Sequence, residues 1–143
     1  MPYKFLENIA IADVAFEASG NNLSELFESA ALAVTNTMVK NLDSVKAKVE
    51  KAIDLEADDV EILLFNFLQE IIFLKDAEKL LLSKVKANVV EKNGKFRIKA
   101  KIKGEELDPN RHELLVDVKA VTMHLFEVKK ERRTWKARVV LDV

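Results

Sequence analysis

The sequence contains no cysteine and only two histidines, His112 and His124. The absence of cysteine excludes disulfides, thiolate metal sites and cysteine nucleophiles, and it permits a reducing, cytoplasmic location. Two histidines are too few for a histidine-rich zinc site. His124 is interpreted either as a hydrogen-bonded structural residue or as a residue that supports a site or contacts a partner.

Several functional signatures are also absent. No apolar run approaches the roughly 18 residues of a membrane-spanning helix, and the N-terminal region does not resemble a secretion signal. There is no glycine-rich phosphate loop, nucleophile motif or paired-glutamate glycosidase pattern. We therefore expect a soluble, cytoplasmic protein that is not itself an enzyme. With 143 residues, 49% of them hydrophobic, the chain is predicted to form a single domain over residues 1–143.

Two helices are predicted from capping signals and apolar periodicity. Asn22 and Glu25 have the spacing of a capping box, and the apolar pattern that follows predicts a helix from Leu23 to about Val39. Asp58, three residues before Glu61, predicts a second helix over 59–74. This second helix is hydrophobic over most of its circumference, so we expect it to be buried on several sides or to support self-association.

The remaining pattern is that of strands. Alternating residues predict a strand over 45–57, and Asn93-Gly94 predicts a type I′ turn that joins strands 80–91 and 95–103 in a hairpin. A loop over 104–112 and strands over 125–129 and 134–143 complete the prediction, while 114–123 suits a helix or a strand. The fold class is α+β: two helices cover a mostly antiparallel sheet in which the N- and C-terminal strands are neighbours.

Asp13 is the one carboxylate inside the apolar run from Ile9 to Ala18. In a buried strand an ionised aspartate without a partner would cost several kcal/mol, so a cation or several donors must meet it. Asp13 either caps backbone N–H groups at a strand bend or acts as a metal ligand or catalytic acid. The residue type alone leaves both interpretations open.

A row of cations marks the second strand of the hairpin, at Lys95, Arg97, Lys99, Lys101 and Lys103. These lysines and the arginine either keep an exposed strand soluble or contact RNA phosphates. No aromatic side chain interleaves the row as a stacking platform. The second half of the chain is basic and the first half acidic, which also allows a charged macromolecular partner.

Short segments at both ends of the chain resemble a known family. They are Ala12 to Val14, Lys119 to His124 after His112, and Leu141 to Val143. Their order and spacing resemble those of the archease family over essentially the whole chain. The resemblance implies an activator of the GTP-dependent tRNA-splicing RNA ligase, which would meet RNA indirectly, through the ligase.

The same resemblance implies a divalent-cation site at Asp13 and Asp142, with the terminal carboxylate of Val143 beside the latter. These are hard oxygen donors, so Ca²⁺ is the expected ion and Mg²⁺ or Mn²⁺ are alternatives. Lys119 and His124 are candidates for partner contact or support of the site.

One departure concerns the residues before Asp13. Family members usually carry His and Thr where this chain has Ala10 and Ile11, so any role of those two residues is open, as is substitution by Glu7 and Asn8. The alternative function is a small RNA- or ligand-binding module that uses the basic hairpin strand.

Overall fold

The structure, a computed structural model of the chain, describes residues 2–7 and 13–143. Within these residues it has two α-helices and seven strands, which confirms the α+β prediction. In chain order they are β1 (Tyr3–Leu6), β2 (Asp13–Gly20), α1 (Leu23–Met38), β3 (Val49–Ala57), α2 (Val60–Glu78), β4 (Leu80–Lys92), β5 (Lys95–Glu106), β6 (Ala120–Glu131) and β7 (Thr134–Asp142).

The described strands form two antiparallel sheets. The first has the order β1-β2-β7-β6 and the second the order β3-β5-β4. The predicted antiparallel pairing is confirmed, as is the pairing of the N-terminal strand β2 with the C-terminal strand β7. The division into two sheets differs from the single sheet that we predicted. It arises because the chain leaves the second sheet after β5 and passes through 107–119 before β6 pairs with β7.

The predicted capping residues can be compared with the observed N-termini of the two helices. The side chain of Asn22 accepts a hydrogen bond from the backbone N–H of Glu25, as predicted for α1. The predicted cap of α2, Asp58, is wrong by one residue: Asp59 is the cap, because its carboxylate accepts from the N–H groups of Glu61 and Ile62. This helix also continues four residues past the predicted end, to Glu78.

The hairpin of β4 and β5 is confirmed, with positive φ at both Asn93 and Gly94. The predicted strand over 45–57 begins only at Val49, because the N–H of Lys46 donates to a Glu105 side chain and not to a ladder carbonyl. The predicted loop over 104–112 is shorter at its start, since β5 continues to Glu106.

The region left open, 114–123, is irregular as far as Lys119 and then enters β6, which includes the predicted strand 125–129. β6 carries a large bulge: Thr122 pairs with Val140 and Glu127 pairs with Arg138. The four residues of β6 between these pairs, 123–126, therefore stand opposite a single residue of β7, Val139. β7 agrees with the predicted strand over 134–143.

Both helices pack between the sheets. A side chain of each helix also accepts a hydrogen bond from a backbone N–H group of an edge strand. Glu28 of α1 accepts a hydrogen bond from the N–H of Ala87 in β4, at 2.8 Å. Gln69 of α2 accepts one from the N–H of Val121 in β6, at 2.8 Å. The buried hydrophobic cluster contains residues of both helices and both sheets. Neither helix described here has the length and hydrophobicity needed to cross a bilayer.

α2 is buried on several sides, as its composition predicted, although Phe73 remains 58% exposed. Self-association through this helix stays a prediction. The predicted strand that begins at Ile9 is described only from Asp13 onward. Residues 8–12, which include Ala10 and Ile11, lie outside the described residues.

Candidate metal centre

The two predicted acidic ligands face each other across neighbouring strands. Asp13 is the first residue of β2, Asp142 is the last residue of β7, and the antiparallel register makes them direct partners. Direct partners lie roughly 5 Å apart at Cα and project from the same side of the sheet. Although they are separated by almost the whole chain, their carboxylates therefore share one end of one sheet face.

Local sequence explains why these residues end their strands. The even-numbered residues of β2, such as Phe16, face the hydrophobic core together with Val139 and Leu141 of β7. The alternate residues, including both aspartates, project from the opposite face. Asp142 is exposed, and Asp13 and Val143, the residue that follows Asp142, are half-buried.

The backbone of Lys119 is hydrogen-bonded at the same end of the sheet. Its N–H donates to the carbonyl of Asp142 at 2.8 Å, and the next residue, Ala120, pairs with Asp142. The Lys119 side chain is exposed. The structure thus brings Asp13, Asp142, Val143 and the Lys119 backbone together.

His124 lies apart from this group. It is four residues beyond Ala120, inside the β6 bulge between Thr122 and Glu127, and it is exposed. The bulge is held by Arg138, whose Nε donates to the Leu125 carbonyl at 2.9 Å. His124 is therefore a surface residue of the same strand and not a neighbour of the two aspartates along the ladder.

A buried lysine anchors the segment that leads to Lys119. The ammonium of Lys75 donates to the Val118 carbonyl at 2.8 Å and to Asp117 at 2.5 Å, and it also contacts Asp76. Burial acts to lower the pKa of Lys75, but the hydrogen bonds to Asp117 and Asp76 outweigh it, so the pKa is raised. Lys75 therefore remains a cation that fixes the backbone just before Lys119.

The donor set fits a hard divalent cation. Two carboxylates in direct cross-strand register repel each other, and neither forms an ion pair with the described residues. Thr122 projects from the same sheet face, diagonally from Asp142, and its hydroxyl is buried with no hydrogen-bond partner. Thr122 lies on the opposite side of β7 from Asp13, so of the two acids only Asp142 is its neighbour.

The protein supplies few ligands for such an ion. In the part of the chain that the structure describes, no group of three or more His, Asp or Glu side chains could hold a metal. The candidate site has two side-chain carboxylates, those of Asp13 and Asp142, and Val143 stays a predicted third ligand. Because Ca²⁺ takes six to eight oxygen ligands, water or a partner molecule must provide the others.

The sequence alone assigns no role to Thr122. It also does not predict a second cluster, around Glu105, because Glu105 falls in the predicted loop over 104–112. The carboxylate of Glu105, only 4% exposed, contacts the Arg111 guanidinium and accepts from the Lys46 N–H at 2.7 Å and from His112 Nε2 at 3.0 Å. Arg111 contributes most to lowering the pKa of Glu105, to about 2, against the effect of burial.

A sequence feature that could have indicated this cluster is the turn that precedes its cationic residues. His112 and Arg111 adjoin the Asp108-Pro109 turn, and the ring Nδ1 of His112 accepts from the Asp108 N–H at 2.9 Å. Its Nε2 therefore carries the proton that is donated to Glu105. This network joins the 45–48 segment and the 108–112 loop to β5, and it serves the fold.

Comparison with known proteins gives one consistent family. Residues 3–143 match the family model described as the Archease protein family. The chain is 38% identical over 135 residues to the protein archease of Pyrococcus furiosus, covering 92% of this chain and 93% of that one. It is 35% identical to the protein archease of Archaeoglobus fulgidus over the full length of both chains.

Solved structures agree with the fold. The solution structure of Methanobacterium thermoautotrophicum protein 1598 has a TM-score of 0.86 and 36% identity, and the match covers 99% of each chain. The crystal structure of an archease from Thermotoga maritima, described as a possible chaperone, has a TM-score of 0.63 and 21% identity over 94% of this chain and 93% of that one. At that identity the second likeness concerns the fold alone.

Proposed function

The chain belongs to the archease family, and from this premise we propose that it is a cytoplasmic accessory protein that activates the GTP-dependent tRNA-splicing RNA ligase. In this proposal the protein is not an enzyme. It promotes guanylylation and multiple turnover of the ligase, and in this activation it meets RNA indirectly, through the ligase. tRNA splicing is the process that it serves.

The observation that carries the proposal is the register of Asp13 with Asp142. Two residues that are almost a chain length apart in sequence are direct partners at one end of a sheet, next to Val143. Such a placement adds repulsion and contributes nothing to the core. It is explained if the acids hold a cation that the protein presents to its partner.

A divalent ion bound there would supply positive charge for phosphate oxygens of a nucleotide or RNA end. The residues of this chain would hold it, with Asp13 and Asp142 as side-chain ligands. With so few protein ligands, affinity in the free protein should be low and should rise when the ligase and its substrates fill the remaining positions.

Lys119 and His124 have separate proposed roles. Lys119, exposed and fixed by its backbone to Asp142, is placed to contact the ligase next to the ion. His124, exposed in the β6 bulge, is a second contact candidate on the same strand. Neither is proposed as a metal ligand.

The test is ligase turnover. RNA with a 2′,3′-cyclic phosphate end is joined by the ligase with GTP and a divalent cation, with and without this protein. We expect the wild-type chain to raise the multiple-turnover rate at least tenfold, and Asp13→Asn or Asp142→Asn to remove most of that gain. Lys119→Ala should reduce stimulation without changing cation affinity.

The matched control is Glu17→Gln. Glu17 projects from the same face of β2 as Asp13, four residues away, and is paired with Lys4 at 3.7 Å. This variant should stimulate like the wild type. A ligase whose turnover ignores the wild-type chain, or a Glu17→Gln variant as inactive as Asp13→Asn, would contradict the proposal.

A further inference from the structure

A second charged surface lies on the three-stranded sheet, on the side that faces away from the helices. From the β4 bulge onward, alternation places the even-numbered residues of β4 from Lys84 and the odd-numbered residues of β5 as far as Lys103 on this side, while Ile98 and Ile102 face the core. Across the two strands, lysine stands directly opposite lysine three times. The pairs are Lys84 with Lys103, Lys86 with Lys101, and Lys92 with Lys95. We call these six lysines the basic face.

Like charges in direct cross-strand pairs destabilise a sheet, and opposite charges would stabilise it. The neighbouring strand β3 shows the usual solution: Arg97 forms a two-point ion pair with Asp54 at 2.8 Å. Lys95 and Lys103 of the basic face also lie near β3 acids, Glu56 at 3.8 Å and Glu50 at 4.0 Å. The neutralisation by β3 therefore reaches two of the six lysines and does not extend to the centre of the β4–β5 pair. The β3 partner of Lys101 is Ala52, and no described carboxylate pairs with Lys84, Lys86 or Lys101.

The turn end of the same surface contains a hollow of about 620 Å³. Its lining combines four cations with one carboxylate, Glu56, which lies 3.8 Å from the Lys95 ammonium. The cations are Lys92, Lys95, Arg97 and Lys99, and the remaining lining residues are Asn88, Val90 and Asn93. Amides supply both hydrogen-bond donors and acceptors. The hollow therefore offers cations for phosphate oxygens and polar groups for a sugar or a base edge.

The charge and the low apolar content of this surface favour a nucleic-acid partner over a protein partner. The centre of a protein interface is typically depleted of charged residues and enriched in aromatic ones. Among the described residues on this side of β3, β4 and β5, Val90 is the single large apolar side chain and most of the others are charged. Cations along β5 recur every second residue, at about 6.8 Å, which suits successive phosphates of one strand. With no aromatic platform on this side, base identity would not be read.

From these observations we infer that the basic face binds the phosphate backbone of single-stranded RNA, independently of base sequence. This surface is on a different sheet from Asp13 and Asp142. It requires no ligase and no divalent cation. Lys86 and Lys101, which are directly opposite each other and unpaired among the described acids, form its centre.

The experiment measures binding of the full-length chain to a fluorescein-labelled oligouridylate of about 12 nucleotides by anisotropy, at several salt concentrations and without ligase. Three to four phosphate contacts predict a slope of log K against log salt of roughly −2 to −3. Lys86→Gln/Lys101→Gln should weaken binding at least tenfold and make the slope shallower by roughly 1.4. Its melting temperature should not fall, because a like-charge pair has been removed.

The matched control is Lys40→Gln/Arg133→Gln, which removes the same charge from exposed positions outside the three-stranded sheet. It should bind like the wild type. Absence of binding at low salt, equal weakening by the control, or competition by polyglutamate as effective as by unlabelled RNA would each overturn the inference, the last in favour of an acidic protein partner. Because no ligase is present, none of these results bears on ligase activation.

Discussion

Replacement of Glu105 by glutamine should destabilise the fold, since this buried carboxylate joins three parts of the chain. It contacts Arg111, accepts from the Lys46 N–H at 2.7 Å and accepts from His112 at 3.0 Å. All three groups are donors. A glutamine side chain has the same shape but only one acceptor oxygen, so its NH₂ group must face at least one of these donors.

The magnitude follows from the burial of the pair. Breaking a buried ion pair by removing one partner costs about 3–5 kcal/mol, and Arg111, whose side chain is 37% exposed, can be partly solvated by water. We therefore expect a loss near the lower limit, about 3 kcal/mol, which for a chain of this size lowers the melting temperature by roughly 6–12 °C. Thermal unfolding followed by circular dichroism at pH 7 measures it.

The effect should depend on pH in a defined direction. The pKa of Glu105 is lowered from 4.5 to about 2 in the folded protein. A carboxyl group of this kind contributes stability that is fully present above its unfolded pKa and is lost as pH falls toward its folded pKa. The gap between wild type and Glu105→Gln should therefore be constant above about pH 5 and narrow between pH 4.5 and 2.

Glu106→Gln is the matched control, because Glu106 is the exposed neighbour on the same strand. It should melt within about 2 °C of the wild type. A Glu105→Gln variant that melts as the wild type does, or a gap that widens as the solution is acidified, would refute the reasoning.

Two further substitutions test the packing. Lys75→Met leaves the Val118 carbonyl without its donor and Asp117 without its partner; it should cost about 2 kcal/mol and speed amide hydrogen exchange in 117–119. Gly104→Ala would place a Cβ atom 1.8 Å from the Leu81 carbonyl oxygen; because backbone must move, we expect a loss of about 3 kcal/mol, measured by urea unfolding.

Two control variants show whether the loss of stability is specific to the sites of Lys75 and Gly104. They remove a lysine or a glycine at another position. Lys40→Met removes an exposed lysine and should be nearly silent. Gly94→Ala meets no atom within 4 Å, although its φ of +77° makes alanine strained, so it should cost only about 1 kcal/mol. Equal losses in Gly94→Ala and Gly104→Ala would contradict the close approach at Leu81.

Local chemistry made parts of the fold predictable. Asn93-Gly94 defines its turn because the two residues accept positive φ, and Asn22 with Glu25 marks the start of α1 because the cap needs only those side chains. Two adjacent aspartates could not be separated in this way. Asp58 and Asp59 are both capping residues, and only the backbone geometry shows that Asp59 forms the cap.

Contacts between residues that are far apart in the sequence were harder to predict. No spacing rule places Asp13 opposite Asp142, and that expectation came from family resemblance alone. The Glu105 network unites residues from three segments. Lys46 falls in a predicted strand and Glu105 and His112 in a predicted loop, so no local pattern connects them. The orphan hydroxyl of Thr122 is visible only when the β6 bulge and the β7 register are known.

A divalent cation held by Asp13 and Asp142 is central to the proposed function, and calorimetric titration of the full-length chain with Ca²⁺ tests for it most directly. Few protein ligands predict a dissociation constant of roughly 0.1–1 mM with one ion per chain. Asp142→Asn should lose most of the binding heat, and Glu17→Gln should keep it. Binding that is absent from the wild type for Ca²⁺, Mg²⁺ and Mn²⁺, or that survives unchanged in Asp142→Asn, would contradict the account.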